Sequence, residues 1–313
     1  MRIDEHIPVL LEPTVEGLLV NPDGIYLDCT FGRGGHSRAI LQRLSSRGRL
    51  LALDRDPQAV QSMSAVQDPR FTGLKSAFAD LAEALDSVGV GQVDGIMMDI
   101  GVSSPQIDQA DRGFSFRKDG PLDMRMDPLS GESAAEFLAR ADARDISEVI
   151  KNYGEERFAV QIAAAIVARR QERPITTTLD LAQIVASAVR TREPGQDPAT
   201  RTFQALRIHV NQELAQLEQG LNAAFERLKV GGRLAVISFH SLEDRIAKQF
   251  IERLANPKAS QDIRLRKLPL PDPKPSMRKV CRVKPDVAEC ERNPRARSSV
   301  LRVAEKIAER THG

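Results

Sequence analysis

An acidic residue followed by a glycine-rich turn stands where a short apolar run gives way to a helical pattern. Asp28 begins the string D-C-T-F-G-R-G-G-H, which contains Gly34 and Gly35 and ends at His36. Glycines in such a turn let the backbone approach a ligand closely. A carboxylate at the mouth of the turn repels phosphate, and the spacing departs from the dinucleotide pattern G-x-G-x-x-G. The turn therefore favours a positively charged ligand.

Two further residues extend this candidate ligand site. Asp54 ends the next apolar run, about twenty residues beyond the turn, where an acid can accept hydrogen bonds from ribose hydroxyls. Phe78 closes a third run and could cover an adenine face, or it could be a core aromatic. S-adenosylmethionine carries a sulfonium and an ammonium group and no phosphate, so the pattern predicts it as the cofactor. A tight turn that binds no ligand is the alternative.

A third acid, Asp99, ends the fourth apolar run and begins the string D-I-G-V-S-S-P-Q. The exocyclic amine of a nucleobase is a weak nucleophile because its lone pair is delocalised into the ring. A carboxylate that accepts the amine hydrogens would strengthen it and could take the released proton. Asp99 is therefore the candidate catalytic residue, although a carboxylate that caps a turn is the structural alternative.

Three other side chains could assist with a nucleobase. His240 follows the fifth apolar run in I-S-F-H-S-L-E-D-R and is predicted to be catalytic by positioning the substrate, with a buried structural histidine as the alternative. The S-S-P-Q string lacks the aromatic residue that stacks on a flipped base in many amino methyltransferases. Phe114 and Phe116, in R-G-F-S-F, are the predicted substitutes, unless they pack within the protein.

Short apolar runs that alternate with helical patterns predict the elements that carry these residues. Four strands are predicted at 25–31, 49–55, 71–78 and 93–100, with helices such as 36–44 and 57–66 between them. This pattern is typical of a doubly wound, mostly parallel α/β sheet, whose ligands gather at the carboxyl ends of the strands.

The pattern changes after the fourth strand. Residues 102–128 form a Gly- and Pro-rich stretch without a convincing strand, and helical signals follow, including the capping-box pair Ser133 and Glu136. Helices are predicted at 158–169, at 179–189 and from 202 through 228, the last ending at Gly231 and Gly232. A strand returns at 233–239, a helix begins near Ser241, and short strands are predicted at 279–283 and 299–304 after a Pro- and Lys-rich linker.

These elements predict an α/β domain interrupted by a helical substrate-recognition domain. The predicted limits are 1–105 and 210–313 for the two parts of the α/β domain, the second with a basic C-terminal segment, and 106–209 for the insert. The three cysteines lack metal-site spacing, so no metal is expected. No apolar run approaches the length of a membrane span, and the protein is expected to be cytoplasmic and not membrane-bound.

The net charge of +2 hides an asymmetry along the chain. Residues 264–310 contain 14 Lys or Arg and 6 Asp or Glu, which leaves 31 basic and 37 acidic residues upstream. A basic tail on an acidic body is typical of a protein with a polyanionic partner, although a solvated tail is the alternative.

Nine strings, in this order, resemble the MraW (RsmH) family of ribosomal RNA methyltransferases. They are D-C-T-F-G-R-G-G-H-S, L-D-R-D, D-I-G-V-S-S-P-Q, R-G-F-S-F, P-L-D-M-R-M-D, Y-G-E-E-R-F, T-R-T-F-Q-A-L-R-I, I-S-F-H-S-L-E-D-R and N-P-R-A-R-S-S-V-L-R. The resemblance spans nearly the whole chain and implies a Rossmann-like class I methyltransferase domain with an inserted helical domain.

The resemblance also implies an activity and a set of contacts. The expected reaction is methylation of the N4 amine of one cytidine in the decoding region of 16S rRNA, within the small ribosomal subunit, and a homodimer is compatible with it. The implied S-adenosylmethionine contacts are Gly34, Gly35, His36, Asp54, Phe78, Asp99 and Gln106.

Three other functions stay open at the level of sequence. An adenine amine would suit a carboxylate at Asp99 as well as cytosine does. A nicotinamide oxidoreductase could use the same sheet, although its G-x-G-x-x-G pattern is missing. A ribosome-associated module could bind the cofactor without catalysis.

Overall fold

A computed structural model describes residues 8–189, 191, 197–260 and 273–310. The chain divides into two units. The first consists of Met1–Gly101 with Leu214–Gly313, and the second is Val102–Glu213, a range that contains the whole of the predicted insert. Among the described residues, no helix is both long and apolar enough to cross a lipid bilayer.

The first unit is built on one mixed sheet, to which the described residues contribute seven strands. The strands are β1 (Ile25–Asp28), β2 (Arg49–Asp54), β3 (Phe71–Lys75), β4 (Val93–Asp99), β5 (Leu228–Ser238), β6 (Met277–Val283) and β7 (Val300–Lys306). Their order is β3-β2-β1-β4-β5-β7-β6. The first five strands are parallel to one another, whereas β7 is antiparallel to both β5 and β6. The predicted doubly wound, mostly parallel sheet is confirmed.

The chain order reverses between β1 and β4, which lie side by side. Asp28 is the last residue of β1, and Asp99 is the last residue of β4. Ligands of open α/β sheets bind at the carboxyl ends of the strands, at this switch point. The topology therefore places both predicted acids where a ligand is expected.

Alternate residues of the central strands enter opposite cores, as the two-residue period of a strand requires. One hydrophobic cluster contains Leu27, Leu51 and Ile96, and the other contains Tyr26, Leu50 and Met97. The described residues of this unit also form eight α-helices. They are α1 (Leu11–Leu18), α2 (Gly35–Arg43), α3 (Pro57–Met63), α4 (Leu81–Ser87), α11 (Glu213–Arg227), α12 (Ser241–Ala255), α13 (Pro257–Ser260) and α14 (Val287–Arg292).

The second unit is helical and has a hydrophobic core of its own. Its helices are α5 (Ser104–Asp108), α6 (Ala134–Arg140), α7 (Ala143–Gly154), α8 (Ala159–Glu172), α9 (Thr178–Ala188) and α10 (Ala199–Asn211). The predicted capping box is confirmed: Ser133 Oγ accepts a hydrogen bond from the Glu136 amide, while the Glu136 carboxylate accepts one from the Ser133 amide. The described part of 102–128 contains no strand.

The predicted single helix from 202 through 228 is wrong. Gln212 has φ 50°, a left-handed conformation that ends α10, and α11 starts at the next residue. Gly231 and Gly232 lie within β5 and do not end a helix. The apolar pattern continues across the break because both helices bury one face, so periodicity did not reveal it. The short helices α13 and α14 were also missed.

Candidate active site at the carboxyl edge of the sheet

The glycine-rich turn between β1 and α2 needs glycine for two separate reasons. Gly34 has a φ angle of +71°, which residues other than glycine rarely adopt, and a Cβ atom there would lie 2.6 Å from the ring of Phe31. Gly35 has ordinary dihedral angles, but a Cβ atom would lie 2.1 Å from the side chain of Pro8. The amide of Gly34 donates a hydrogen bond of 2.6 Å to the carbonyl of Phe31, which closes the turn.

Asp28 is fully buried beneath this turn. Its carboxylate accepts hydrogen bonds from the Thr30 amide at 3.0 Å and the Ser37 hydroxyl at 2.7 Å. Burial raises the pKa of Asp28 to about 6, against the lowering effect of these hydrogen bonds. Asp28 thus holds the turn together and adds negative potential at the switch point.

Asp54 connects the end of β2 to the same turn. Its carboxylate accepts hydrogen bonds from the Gly32 amide at 2.8 Å and the Asp56 amide at 2.9 Å. Burial is the main cause of the raised pKa of this group. A cation or hydroxyl donor at this edge would stabilise the charged form.

Asp99, at the end of β4, has a buried oxygen atom and a strongly raised pKa. Its amide donates to the Thr30 hydroxyl at 2.7 Å, while its carboxylate atom Oδ1 is buried and has no hydrogen-bond partner among the described residues. Burial, followed by the negative charges of Asp28 and Glu243, raises the pKa of Asp99 to about 8. A quarter of its side chain, 25%, remains exposed. Asp99 is therefore a carboxyl group that can still accept a hydrogen bond.

His36 lies beside Asp99 and is nearly buried, with 5% exposure. Its Nε2 atom lies 3.1 Å from the Val9 carbonyl, and its Nδ1 atom lies 3.7 Å from Asp99 Oδ2. A carbonyl oxygen can only accept a hydrogen bond, so Nε2 carries the proton.

Phe78 was predicted to end the third strand, but β3 stops at Lys75. It begins a short 3-10 helix, Phe78–Asp80, and is partly buried against Gly220 of α11, where a Cβ atom would lie 2.8 Å from its ring. Its packing supports the core interpretation, and the predicted adenine contact stays a prediction.

His240 occupies the position before α12 and caps that helix. Its Nδ1 atom accepts a hydrogen bond of 3.4 Å from the Glu243 amide, and the Glu243 carboxylate accepts one of 2.8 Å from the Phe239 amide. This arrangement supports the structural alternative for His240. Its predicted catalytic role stays a prediction.

The remaining predicted residues belong to the second unit. Gln106 is 5% exposed, and its side-chain oxygen accepts from the Ser103 amide at 2.8 Å in the capping box of α5. Phe114 lies under the guanidinium of Arg112, 5.8 Å from its ring centroid. Phe116 packs edge-on against Phe203 and joins the helical core.

Sequence reasoning missed four residues that shape this edge: Thr30, Ser37, Glu243 and Val9. The spacing of His240 and Glu243 is that of a capping box, a signal available in the sequence. The contacts of the other three depend on the fold, and Val9 acts through a backbone carbonyl that has no sequence signature.

The donor set fits S-adenosylmethionine. Asp28, Asp54 and Asp99 concentrate carboxylates at this edge, and burial is the main cause of the raised pKa of all three. Asp99 Oδ1 has no hydrogen-bond partner among the described residues. Such an environment favours a cationic ligand and opposes a phosphate. When bound, the sulfonium compound supplies the electrophilic methyl group.

Comparisons with known proteins show the family of the chain. The MraW methylase family matches residues 4–307. A protein of Ralstonia pickettii strain 12D, named "Ribosomal RNA small subunit methyltransferase H", is 59% identical over 308 residues, which are 96% of this chain and 97% of the relative. A protein of the same name from Dechloromonas aromatica strain RCB is 58% identical, over 98% and 99% of the two chains.

A crystal structure of an rRNA methylase from Streptococcus thermophilus is 12% identical with a TM-score of 0.40, over 95% of this chain and 93% of that one. The family match and the long, closely similar relatives decide the assignment. The chain belongs to the MraW methylase family and is a methyltransferase whose methyl donor is S-adenosylmethionine.

Proposed function

We propose that this protein methylates the N4 amine of a cytidine in the decoding region of 16S rRNA, in the small ribosomal subunit. The names of the close relatives support the ribosomal substrate. The observation that carries the amine chemistry is Asp99 at the end of β4, with a buried carboxylate oxygen that has no described partner. An exocyclic amine brings the hydrogens that such an oxygen requires.

The residues at the edge of the sheet divide the work of binding. Asp28 and Asp54 supply the negative potential for the cationic donor, and Asp54 also offers a carboxylate to ribose hydroxyls. Gly34 and Gly35 have no side chain that would keep a ligand away from the backbone of the turn, and Phe78, which is only partly buried, would contact the adenine. Gln106 contributes by fixing the first turn of α5.

Asp99 acts on the amine. A positively charged donor favours the ionised form of Asp99 and so offsets the burial that raises its pKa. The carboxylate then accepts a hydrogen bond from the cytosine amine, increases the electron density on nitrogen, and takes the proton that is released. Holding the amine and the methyl group in line supplies much of the remaining acceleration.

Two aromatic residues were predicted to stack on the base, and their packing separates them. Phe116 is packed against Phe203, whereas Phe114 contacts the guanidinium of Arg112. Phe114 is the better candidate, because a base can stack on an aromatic ring whose one face is already held by a cation.

The test uses small subunits from a strain that lacks this gene, the purified protein and labelled S-adenosylmethionine. Mass spectrometry of the digested 16S rRNA should show N4-methylcytidine in the decoding region. Asp99→Asn should slow transfer about 100-fold or more while the donor still binds, and the exposed-surface control Glu226→Gln should not. Near-normal transfer by Asp99→Ala with donor bound would refute the mechanism, and methylation of an adenine would refute the substrate.

The cellular setting follows from the substrate. The protein would act in the cytoplasm, where small subunits are assembled, and the homodimer implied by the resemblance stays a prediction.

A further inference from the structure

A line of contacts connects the C-terminal segment of the first unit to Asp99. It runs from Glu289 in α14 through Leu10 and Val9 to His36. All of these residues belong to the first unit. Nothing in the sequence motifs assigns a role to Glu289 or to the segment before α1.

The first contact fixes the conformation of the N-terminal segment. The Glu289 carboxylate accepts a hydrogen bond of 2.6 Å from the Leu10 amide. Leu10 is 2% exposed and has φ 51°, a left-handed conformation that is costly for a branched side chain. Glu289 is itself held, because its amide donates to the Asp286 carboxylate at 2.7 Å. A charged acceptor thus stabilises a turn that the local sequence disfavours.

The second contact passes this constraint to the active site. With Leu10 fixed, the preceding Val9 carbonyl is aimed at His36 Nε2 at 3.1 Å. The same segment lies against the glycine-rich turn, since Pro8 is in close contact with Gly35. The position of the Val9 oxygen therefore depends on both Leu10 and Pro8.

The third contact gives the constraint a chemical consequence. When the ring is neutral and the proton is on Nε2, the lone pair is on Nδ1, which lies 3.7 Å from Asp99 Oδ2. In this tautomer His36 can accept a proton from Asp99 but cannot donate one. The charged groups that act on Asp99 are Asp28 and Glu243, both acidic, and both favour a proton on the Asp99 carboxyl.

We propose that Glu289 is a positioning residue for methyl transfer: through Leu10 and the Val9 carbonyl it holds His36 in the Nε2-protonated tautomer, with Nδ1 ready to receive a proton from Asp99. The inference rests on the proposed catalytic role of Asp99 for its effect on the reaction. Its effect on the tautomer of His36 does not depend on the substrate.

The experiment compares Glu289→Ala, Glu289→Gln and the control Glu291→Ala in the full-length protein. Glu291 is exposed in the same short helix and two residues away, and Gln keeps an oxygen that can accept from the Leu10 amide. Long-range proton–nitrogen NMR spectra of the imidazole rings, assigned with a His36→Gln sample, report the tautomer. Thermal unfolding reports stability, and calorimetry reports the affinity for S-adenosylmethionine.

Glu289→Ala should convert the His36 signal from one tautomer to a mixture and weaken donor binding about fivefold, the scale of one lost hydrogen bond. Glu289→Gln should restore both to near the wild-type values, and Glu291→Ala should change neither. An unchanged His36 spectrum in a folded Glu289→Ala protein overturns the proposal, as does failure of Gln to rescue. If the tautomer changes as expected but the protein does not methylate cytidine, the proposed function fails and the positioning role stands.

Discussion

At the scale of single residues, the structure turns three isolated acids into one electrostatic unit. Asp28 and Asp99 end neighbouring strands, and the negative charge of Asp28 disfavours ionisation of Asp99, while that of Asp54 disfavours ionisation of Asp28. Such groups are costly in the absence of a ligand, because buried carboxylates lose hydration. The carboxylates that suit the site to a cationic ligand therefore lower the folding stability of the ligand-free protein.

This cost predicts that Asp99→Asn stabilises the protein without cofactor. An aspartate in an unfolded chain has a pKa of about 3.9, whereas burial raises the pKa of Asp99 in the folded protein to about 8. The folded state binds the extra proton between these values, so the stability of the wild type falls as pH rises through this range. Asn cannot ionise, so this decrease in the free energy of unfolding does not occur in the variant.

The advantage of Asp99→Asn should therefore grow between pH 5 and pH 8, to about 2 kcal/mol after a discount for partial exposure. Urea unfolding at several pH values measures it, with the exposed Glu226→Gln as control. A constant or shrinking difference would show that Asp99 is ionised in the free protein.

Gly34 gives a second prediction at this scale. Gly34→Ala must accept both a φ of +71° and a Cβ atom 2.6 Å from Phe31. The control Gly89→Ala has a similar φ of +69° but nothing within 4 Å of the new atom. We expect a loss of about 1 kcal/mol for Gly89→Ala and about 2–4 kcal/mol for Gly34→Ala, measured by urea unfolding. Equal losses would mean that the turn moves away from Phe31 at no cost.

At the scale of elements, the periodic pattern predicted one helix where the structure has two, α10 and α11, joined at Gln212. Gln212 adopts φ 50° without the conformational freedom of glycine. Gln212→Gly should therefore stabilise the protein by about 0.5–1 kcal/mol, because glycine reaches this conformation without steric cost.

The matched control is Gln219→Gly, at an exposed position inside α11. It should destabilise the protein by about 1 kcal/mol, the usual cost of glycine within a helix. Chemical unfolding of both variants measures the contrast, and a loss at both positions would mean that the helix continues through 212 in solution.

At the scale of the whole molecule, the uneven distribution of charge predicts how RNA binding responds to salt. Arg282, Lys284 and Arg297 are exposed in the basic C-terminal segment. If they contact phosphates, RNA affinity falls steeply with salt, and each contact adds about 0.7–0.9 to the slope of log K against log salt concentration.

Replacing the three with Gln should lower that slope by up to about 2–3, as measured by filter binding to small-subunit RNA over a range of KCl concentrations. Arg49→Gln is the control, because Arg49 is exposed at the start of β2, away from the carboxyl edge of the sheet. A salt response unchanged by the triple substitution would remove the segment from the RNA surface.

The sequence by itself determined the sheet, the positions of Asp28, Asp54 and Asp99 at strand ends, and the cation preference of the turn. These features are local: periodicity sets the strands, and a carboxylate keeps its charge preference wherever the chain places it. The strand ends were less well predicted, and Phe78 lies beyond β3 because pairing with β2 stops at Lys75.

Only the tertiary structure decided what surrounds those acids. The contacts of Thr30 with Asp99, of Val9 with His36 and of Glu289 with Leu10 join residues as much as 279 positions apart. Each of these contacts has a backbone amide or carbonyl on one side. Nearly every residue type offers these groups, so the pattern of side chains in the sequence does not predict such contacts. The pKa of Asp99 depends on these neighbours and on burial, which exist only after the chain has folded.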